Sequence, residues 1–196
     1  MEVVSSVLIG VALSATCGFR VFVPLLAVNI AARSLNADGE PWIELADGFV
    51  WMGSDVALLI FLVASIVEIG GYYVPWIDNL LDSIASPAAI VAGTLITASF
   101  ITGMEPWLQW LLSLIAGGGT AGAVQATTVV TRASSTVTTG GLGNPIVATV
   151  ETSGAFLGSA LAILAAPVAV GVFVLLVGCG IWIWWGRRKR KPAEKA

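Results

Sequence analysis

The sequence predicts an all-α protein, a polytopic transmembrane helical bundle of five or six spans with interrupted or re-entrant helices. The chain of 196 residues is 57% hydrophobic and 11% charged, whereas soluble domains carry roughly 25% charged residues. Several apolar runs reach the ~20 residues that a helix needs to cross a bilayer. Most lysine and arginine residues lie after residue 186, so the body of the chain has almost no cations.

The first apolar run, Val3 to Ala32, is too long for one straight span, because roughly 30 residues of helix measure ~45 Å. Gly18 and Pro24 interrupt the run, and Arg20 lies between them. We therefore expect a broken or strongly tilted helix. A secretory signal needs a positive charge near its start, where this chain has Glu2, so the run is predicted to stay in the mature protein.

A polar loop from Arg33 to Asp55 follows, which we call the acidic loop because all its charged residues after Arg33 are carboxylates. Its residues Trp42 and Trp51 are expected at the membrane interface. The next span is predicted from Asp55 to Tyr73.

The segment Pro75 to Ser86 places Asp78 and Asp82 four residues apart on one helix face, which predicts a short interfacial helix. Pro87 is expected to begin the following span, which runs to Met104.

The second half of the chain begins with a predicted span from Trp107 to Thr131. The stretch Gln125 to Asn144 is the least lipid-like part of the body and contains Arg132, so we expect it against protein or water. The long run Pro145 to Trp185 favours two helices that turn near Ala166 and Pro167.

The chain ends in an aromatic anchor and a basic cluster. This pattern predicts a transmembrane domain over 1–186 and a basic cytoplasmic tail over 187–196, in a multi-pass membrane protein with a cytoplasmic C-terminus. With six spans the N-terminus is also cytoplasmic and the acidic loop faces outward. With five spans the N-terminus is outside and the acidic loop is inside.

The absence of histidine excludes serine-histidine triads and histidine-based metal sites. Cys17 and Cys179 lie in apolar runs and are interpreted as small core residues. We predict no enzyme activity, no cofactor, no metal and no nucleic-acid partner. The lipid bilayer is the expected environment, and formation of a homo-oligomer stays open.

Arg20 carries the strongest indication of a site, because an arginine within an apolar run costs at least ~2.5 kcal/mol and needs a partner or water. If the helix breaks at Gly18, free amides at the start of the second half add positive potential, which favours an anion. The alternative is a buried ion pair with one of four carboxylates: Glu68, Asp78, Asp82 or Glu151. Glu68 itself is either a proton carrier or the structural counter-ion of Arg20.

Further candidate binding residues are Asp78, Asp82, Asn144 and Glu151. The two aspartates could capture a cation or exchange protons at a cavity mouth, or simply be solvated. Asn144 and Glu151 follow the glycine-rich turn Thr138 to Gly143, where polar groups could hold Na⁺ or a polar head group, or form a plain loop. A weak similarity aligns 83–97 with 149–163, and Asp78 with Asn144, as in transporter repeats.

Two resemblances follow from these segments. The pieces GFRVFVPLLAVNIAARS, VPWIDNLLDSIASPAAIVAGTLI and TTGGLGNPIVATVE resemble an uncharacterised bacterial family of small integral membrane proteins that carry a domain of unknown function. That resemblance implies a multi-pass protein of the bacterial inner membrane. More locally, GFRVFVPLLA resembles the arginine-proline motif of DedA-type proteins, a family implicated in recycling polyprenyl-phosphate and other lipid carriers across bilayers. That resemblance implies a re-entrant segment beside Arg20 and Pro24.

These observations lead to two hypotheses on function. The first is transport of a small anion or a phosphorylated lipid through a polar intramembrane cavity, with Arg20 binding the anion and the carboxylates exchanging protons or balancing charge. The second is a structural or assembly subunit of a membrane complex, without transport activity.

Overall fold

The computed structural model describes residues 2–36, 38–74 and 77–165, together with residues 175 and 178. Throughout this part the regular elements are helices, so the predicted all-α class is confirmed. In chain order they are α1 (Glu2–Cys17), α2 (Phe22–Arg33), a 3-10 helix (Asp47–Gly53), α3 (Asp55–Gly71), α4 (Ile77–Phe100), α5 (Pro106–Leu112), a π-helical segment (Ser113–Gly118), α6 (Gly119–Thr139) and α7 (Asn144–Leu164).

Two described helices are long and apolar enough to cross a membrane, Leu80–Phe100 and Asn144–Leu164. The pair formed by the 3-10 helix and α3, bent by 62°, adds a third span if it is counted as one. These apolar helices agree with a membrane protein. The predicted number of five or six spans is not confirmed by them.

The predicted break in the first apolar run is confirmed. The amides of Phe19 and Arg20 both donate to the Thr16 carbonyl, at 3.0 and 3.2 Å, and α1 ends there. Gly18 lies directly against α6: a Cβ added to it would be 2.6 Å from the Ala121 carbonyl oxygen. A side chain at this position would therefore force the helices apart.

The chain reverses its direction at this break. Gly10 contacts Thr97 near the end of α4, whereas Gly18 contacts Ala121 of α6, farther from that end of the bundle. After the break, α2 runs back until Asn29 donates to the Met52 and Ser54 carbonyls, at 2.5 and 3.0 Å, just before α3 begins. The turn between α1 and α2 thus forms the tip of a helical hairpin.

Two predicted boundaries are wrong. Pro75 to Ser86 is not a separate interfacial helix, because α4 continues from Ile77 through Pro87 to Phe100. A proline removes one helical hydrogen bond, but α4 is held on both sides of it by packing of the buried Ala85 and Ala89.

The second is the predicted end of a span at Thr131, because α6 continues through the polar stretch as far as Thr139. Its hydroxyl groups do not unwind the backbone, because they donate to carbonyls one turn earlier, as Thr131 does to Thr127 at 2.8 Å. The glycine turn that follows is present, with Gly140 and Gly141 at φ of 65° and 90°.

Other predictions concern residues that the structure does not describe. They are the turn at Ala166 and Pro167, the continuation to Trp185, Cys179, and the basic tail over 187–196.

Candidate functional site

Arg20, in the turn between α1 and α2, is 1% exposed. Its guanidinium donates to Glu151 Oε2 at 2.9 Å and to Thr152 Oγ1 at 3.1 Å, both on α7. Two further bonds reach the carbonyls of Ala148, at 3.0 Å, and Phe19, at 2.8 Å. The break in the helix therefore delivers this arginine to the face of α7 that carries Glu151.

A second arginine, Arg132 on α6, meets the same carboxylate. Its Nη2 pairs with Glu151 Oε2, the oxygen that also accepts from Arg20. Its Nη1 donates to Asp82 Oδ1 of α4 at 2.8 Å. One carboxylate oxygen is thus shared by two buried guanidinium groups that come from different elements.

Tyr72, just after α3, completes this cluster. Its ring centroid lies 4.1 Å from the central guanidinium carbon of Arg20 and 4.0 Å from that of Arg132. Cation-π contacts of this kind strengthen when they are desolvated, and Tyr72 is buried. We call Arg20, Tyr72, Asp82, Arg132 and Glu151 the charge cluster.

The charge cluster retains open hydrogen-bonding capacity. Glu151 Oε1 and Arg132 Nε are buried and have no hydrogen-bond partner among the described residues. Unsatisfied groups of this kind are rare in protein interiors, and they mark places where water or a ligand binds.

Glu68 of α3 lies beside the cluster but is not the counter-ion of Arg20. Its carboxylate accepts from the backbone amides of Val21 and Phe22, at 2.7 and 3.0 Å. These are the backbone amides at the start of α2 that were predicted to favour an anion. The protein's own carboxylate occupies that position, so Glu68 caps α2.

Asp78 and Asn144 form a second polar contact. Asn144 Nδ2 donates to Asp78 Oδ2 at 2.9 Å and to Thr136 Oγ1 at 3.0 Å. Thr136 in turn donates to the Arg132 carbonyl at 3.0 Å, which links this contact to the charge cluster. The residues that the weak internal similarity aligned with each other therefore touch.

The six predicted site residues lie in this one buried region. Five of them are buried, and the side chain of the sixth, Asp82, is 12% exposed. Two members of the cluster were not among them. Arg132 had a signal, since it is a lone charge in an otherwise uncharged polar stretch. Tyr72 had none, because nothing local distinguishes it from Tyr73. Within the described residues no three cysteines or carboxylates come together as metal ligands.

Comparison with curated proteins and with solved structures gives no match for this chain. The local resemblance to DedA-type proteins therefore has no support from the comparisons. The model of a family described as a domain of unknown function (DUF4126) matches residues 7–186, nearly the whole chain. The chain therefore belongs to this family, whose defining domain has no assigned function.

Proposed function

We propose that this protein transports a phosphate- or carboxylate-bearing anion across the membrane, and that Arg20 and Arg132 bind it. The observation that carries the proposal is the sharing of Glu151 Oε2 by both guanidinium groups. Two arginines that converge on one oxygen can grip an anion from two directions. In this arrangement the Glu151 carboxylate occupies the place of the substrate.

Binding requires that Glu151 release the arginines. A proton that arrives at Glu151 neutralises its carboxylate, so both arginines lose their strongest partner and become free for an external anion. The proton and the anion then enter together, and the net charge of the cluster is unchanged. This is a physical reason for proton-coupled uptake, because a buried guanidinium whose carboxylate partner has been neutralised would otherwise be costly.

The charge balance limits the kind of substrate. Asp82 keeps its contact with Arg132 Nη1 at 2.8 Å, and Glu68 stays on the α2 amides. The anion therefore replaces only the bonds that Arg20 and Arg132 make to the Glu151 carboxylate. A compact anionic group fits this exchange, either as a free anion or as the head group of a phosphorylated lipid.

A structural role is the second candidate, and one observation favours it. Each arginine of the cluster already has a carboxylate partner, and these pairs tie the α1–α2 turn to α7 and α6 to α4. A protein that only assembles with a larger membrane complex would need no more than this internal cross-link.

Uptake by purified protein in liposomes separates the two candidates. We expect inorganic phosphate, a small carboxylate or a short-chain lipid phosphate to be taken up faster when the outside is more acidic. Arg20→Lys should abolish most of this uptake, because lysine lacks the planar fork. Glu151→Gln should remove its dependence on pH.

Arg33→Lys is the matched control, since Arg33 pairs with the exposed Asp55 at the end of α2, outside the cluster. Equal uptake by wild type and Arg20→Lys would reject the proposed site. No uptake of any of the three substrates by folded protein would leave the structural role as the better account.

A further inference from the structure

A cleft of about 650 Å³ lies at the other end of the bundle from the charge cluster, between the acidic loop and the turn after α4. Ligand sites measure roughly 300 to 1,000 Å³. Its walls include two carboxylates, three aromatic rings and one amide: Glu44, Asp47, Phe49, Trp51, Gln109 and Trp110. We call this the acidic cleft.

The carboxylates of the acidic cleft have no cationic partner among the residues that the structure describes. Up to residue 186 the sequence has three cations, which are all arginines. Arg20 and Arg132 belong to the charge cluster, and Arg33 pairs with Asp55. In the part of the chain that the structure describes, neither Glu44 nor Asp47 takes part in an ion pair, so the cleft is negative.

The end of α4 adds to this potential. The cleft lies at the C-terminal end of a long helix, Ile77–Phe100, where the helix dipole is negative. Cations are favoured at such an end by the same physics that favours lysine and arginine in the last turn of a helix, and α4 has no basic residue there.

Aromatic rings supply the second recognition element. Phe49 and Trp110 lie with their centroids 5.8 Å apart. Trp51 and Trp110 remain 52% and 46% exposed although both line the cleft. Faces of tryptophan attract cations, and those of alkylated ammonium groups in particular, because the positive charge and the apolar substituents both gain from the ring.

The walls are held in place before any ligand arrives. The Ala46 amide donates to the Ser99 carbonyl at 2.8 Å, which fixes the loop to the end of α4. Gln109 Nε2 donates to the Ala98 and Ile101 carbonyls, both at 2.8 Å, which fixes α5 to the same end. A preformed cleft loses little entropy on binding.

From the combined charge, aromatic lining and rigidity, we propose that the acidic cleft binds an organic ammonium ion, such as a free alkylated amine or the ammonium head group of a lipid. This site is independent of the charge cluster and of the proposed transport. An alkylammonium group would place its charge near Asp47 and Glu44 and its substituents on the tryptophan faces.

The test uses choline and its uncharged carbon isostere, in which a tert-butyl group replaces the trimethylammonium. Calorimetry on the purified full chain should give saturable binding of choline and none of the isostere. Asp47→Asn and Trp110→Leu should each weaken choline binding about tenfold. The control variants are Glu40→Gln, at an exposed carboxylate of the acidic loop, and Trp107→Leu, at an exposed tryptophan of α5. Neither residue lines the acidic cleft, so both variants should bind choline with an affinity within about twofold of wild type.

A second arm identifies the source of the ammonium group. Competition by phosphatidylcholine in nanodiscs, against phosphatidylglycerol as the reference lipid, would assign the cleft to a lipid head group, and its absence would assign it to a free amine. The proposal is overturned if the isostere binds as tightly as choline, if Trp107→Leu weakens binding as much as Trp110→Leu, or if Ca²⁺ binds and choline does not.

Discussion

Glu151 is the residue on which the charge cluster depends, because one oxygen of its carboxylate serves both buried arginines. A buried ion pair is a weak source of net stability, but removal of one partner leaves a charge uncompensated in a low dielectric. The burial of Arg20 therefore depends on Glu151, whereas Arg132 has Asp82 as a second carboxylate partner.

This dependence predicts a strong coupling between Arg20 and Glu151. Glu151→Gln alone and Arg20→Gln alone should each lower the free energy of unfolding by about 3 to 5 kcal/mol. The double variant should lose clearly less than the sum of the two, since it removes both ends of the interaction. Thermal and denaturant unfolding in detergent measure these losses. The coupling between Arg20 and Glu68 should be smaller, and the opposite order would contradict the observed pairing.

Glu68 gives the second prediction at this scale. Glu68→Ala removes the acceptor of two backbone amides and should cost about 1 to 3 kcal/mol, whereas Glu68→Gln keeps an acceptor oxygen and should be milder. Hydrogen exchange should accelerate at Val21 and Phe22 in the alanine variant. Glu105→Ala is the control, because Glu105 precedes α5 without a side-chain cap bond; unchanged exchange at the α2 start in Glu68→Ala would refute the capping role.

The sequence was sufficient to select these residues and insufficient to pair them. A charge within an apolar run must be buried with a partner or water, so Arg20, Glu68 and Glu151 could be identified without a structure. Which carboxylate faces which arginine depends on how the helices pack over more than a hundred residues of chain. The shared oxygen of Glu151 and the ring of Tyr72 follow from that packing.

At the scale of elements, glycine determines how closely α1, α4 and α6 approach. A Cβ on Gly93 of α4 would lie 2.6 Å from the Ala121 Cβ and 2.9 Å from the Gly117 carbonyl oxygen. Small residues let helix backbones meet in this way and are typical of membrane helix interfaces. The break at Gly18 depends on the same close packing.

Two helical glycines, Gly93 inside this interface and Gly119 outside it, test the role of backbone contact. Gly93→Ala should destabilise the protein by about 1 to 3 kcal/mol, because backbone and Cβ atoms must move apart. Gly119→Ala should be neutral or stabilising by up to ~1 kcal/mol, because nothing lies within 4 Å of its added Cβ and alanine favours helix. Melting temperatures of the two variants decide the question, and equal losses would mean that helix propensity matters more than contact.

The helix boundaries differ in how well the local sequence predicts them. The broken first helix could be predicted, because a run of that length with Gly18 and Arg20 cannot form one straight span. The continuous α4 could not, since the preference of proline for a helix start was outweighed by packing on both sides of Pro87. In α6 the threonine and serine hydroxyls bond within the helix, and a polar composition alone does not reveal that.

At the scale of the whole molecule, the hairpin of α1 and α2 determines which loops share a side. The loop before α3 is fixed to the end of α4 by the bond from Ala46 to Ser99, and Gly10 lies against Thr97 near that same end. The start of α1 and the acidic loop therefore lie on one side of the bundle. The turn between α6 and α7 lies at the opposite end, beside the start of α4.

This arrangement gives a topology that neither span count anticipated, since both place Glu2 and Glu44 on opposite sides of the membrane. With a re-entrant hairpin, the two residues share a side. If the apolar run after Leu164 crosses once, as its length predicts, and the basic tail is cytoplasmic, that shared side is the outside.

Single cysteines at Glu2, Glu44 and Thr138, in a background with Cys17 and Cys179 replaced by alanine, test this topology with a membrane-impermeant thiol reagent. We expect Glu2→Cys and Glu44→Cys to react in intact cells and Thr138→Cys to react only after the membrane is opened. Reaction of Glu2→Cys and Glu44→Cys from opposite sides would instead make α1 and α2 one broken span. Reaction of all three cysteines from the same side would contradict our expectation that the chain crosses the membrane an odd number of times between Glu44 and Thr138, through α3, α4 and α6.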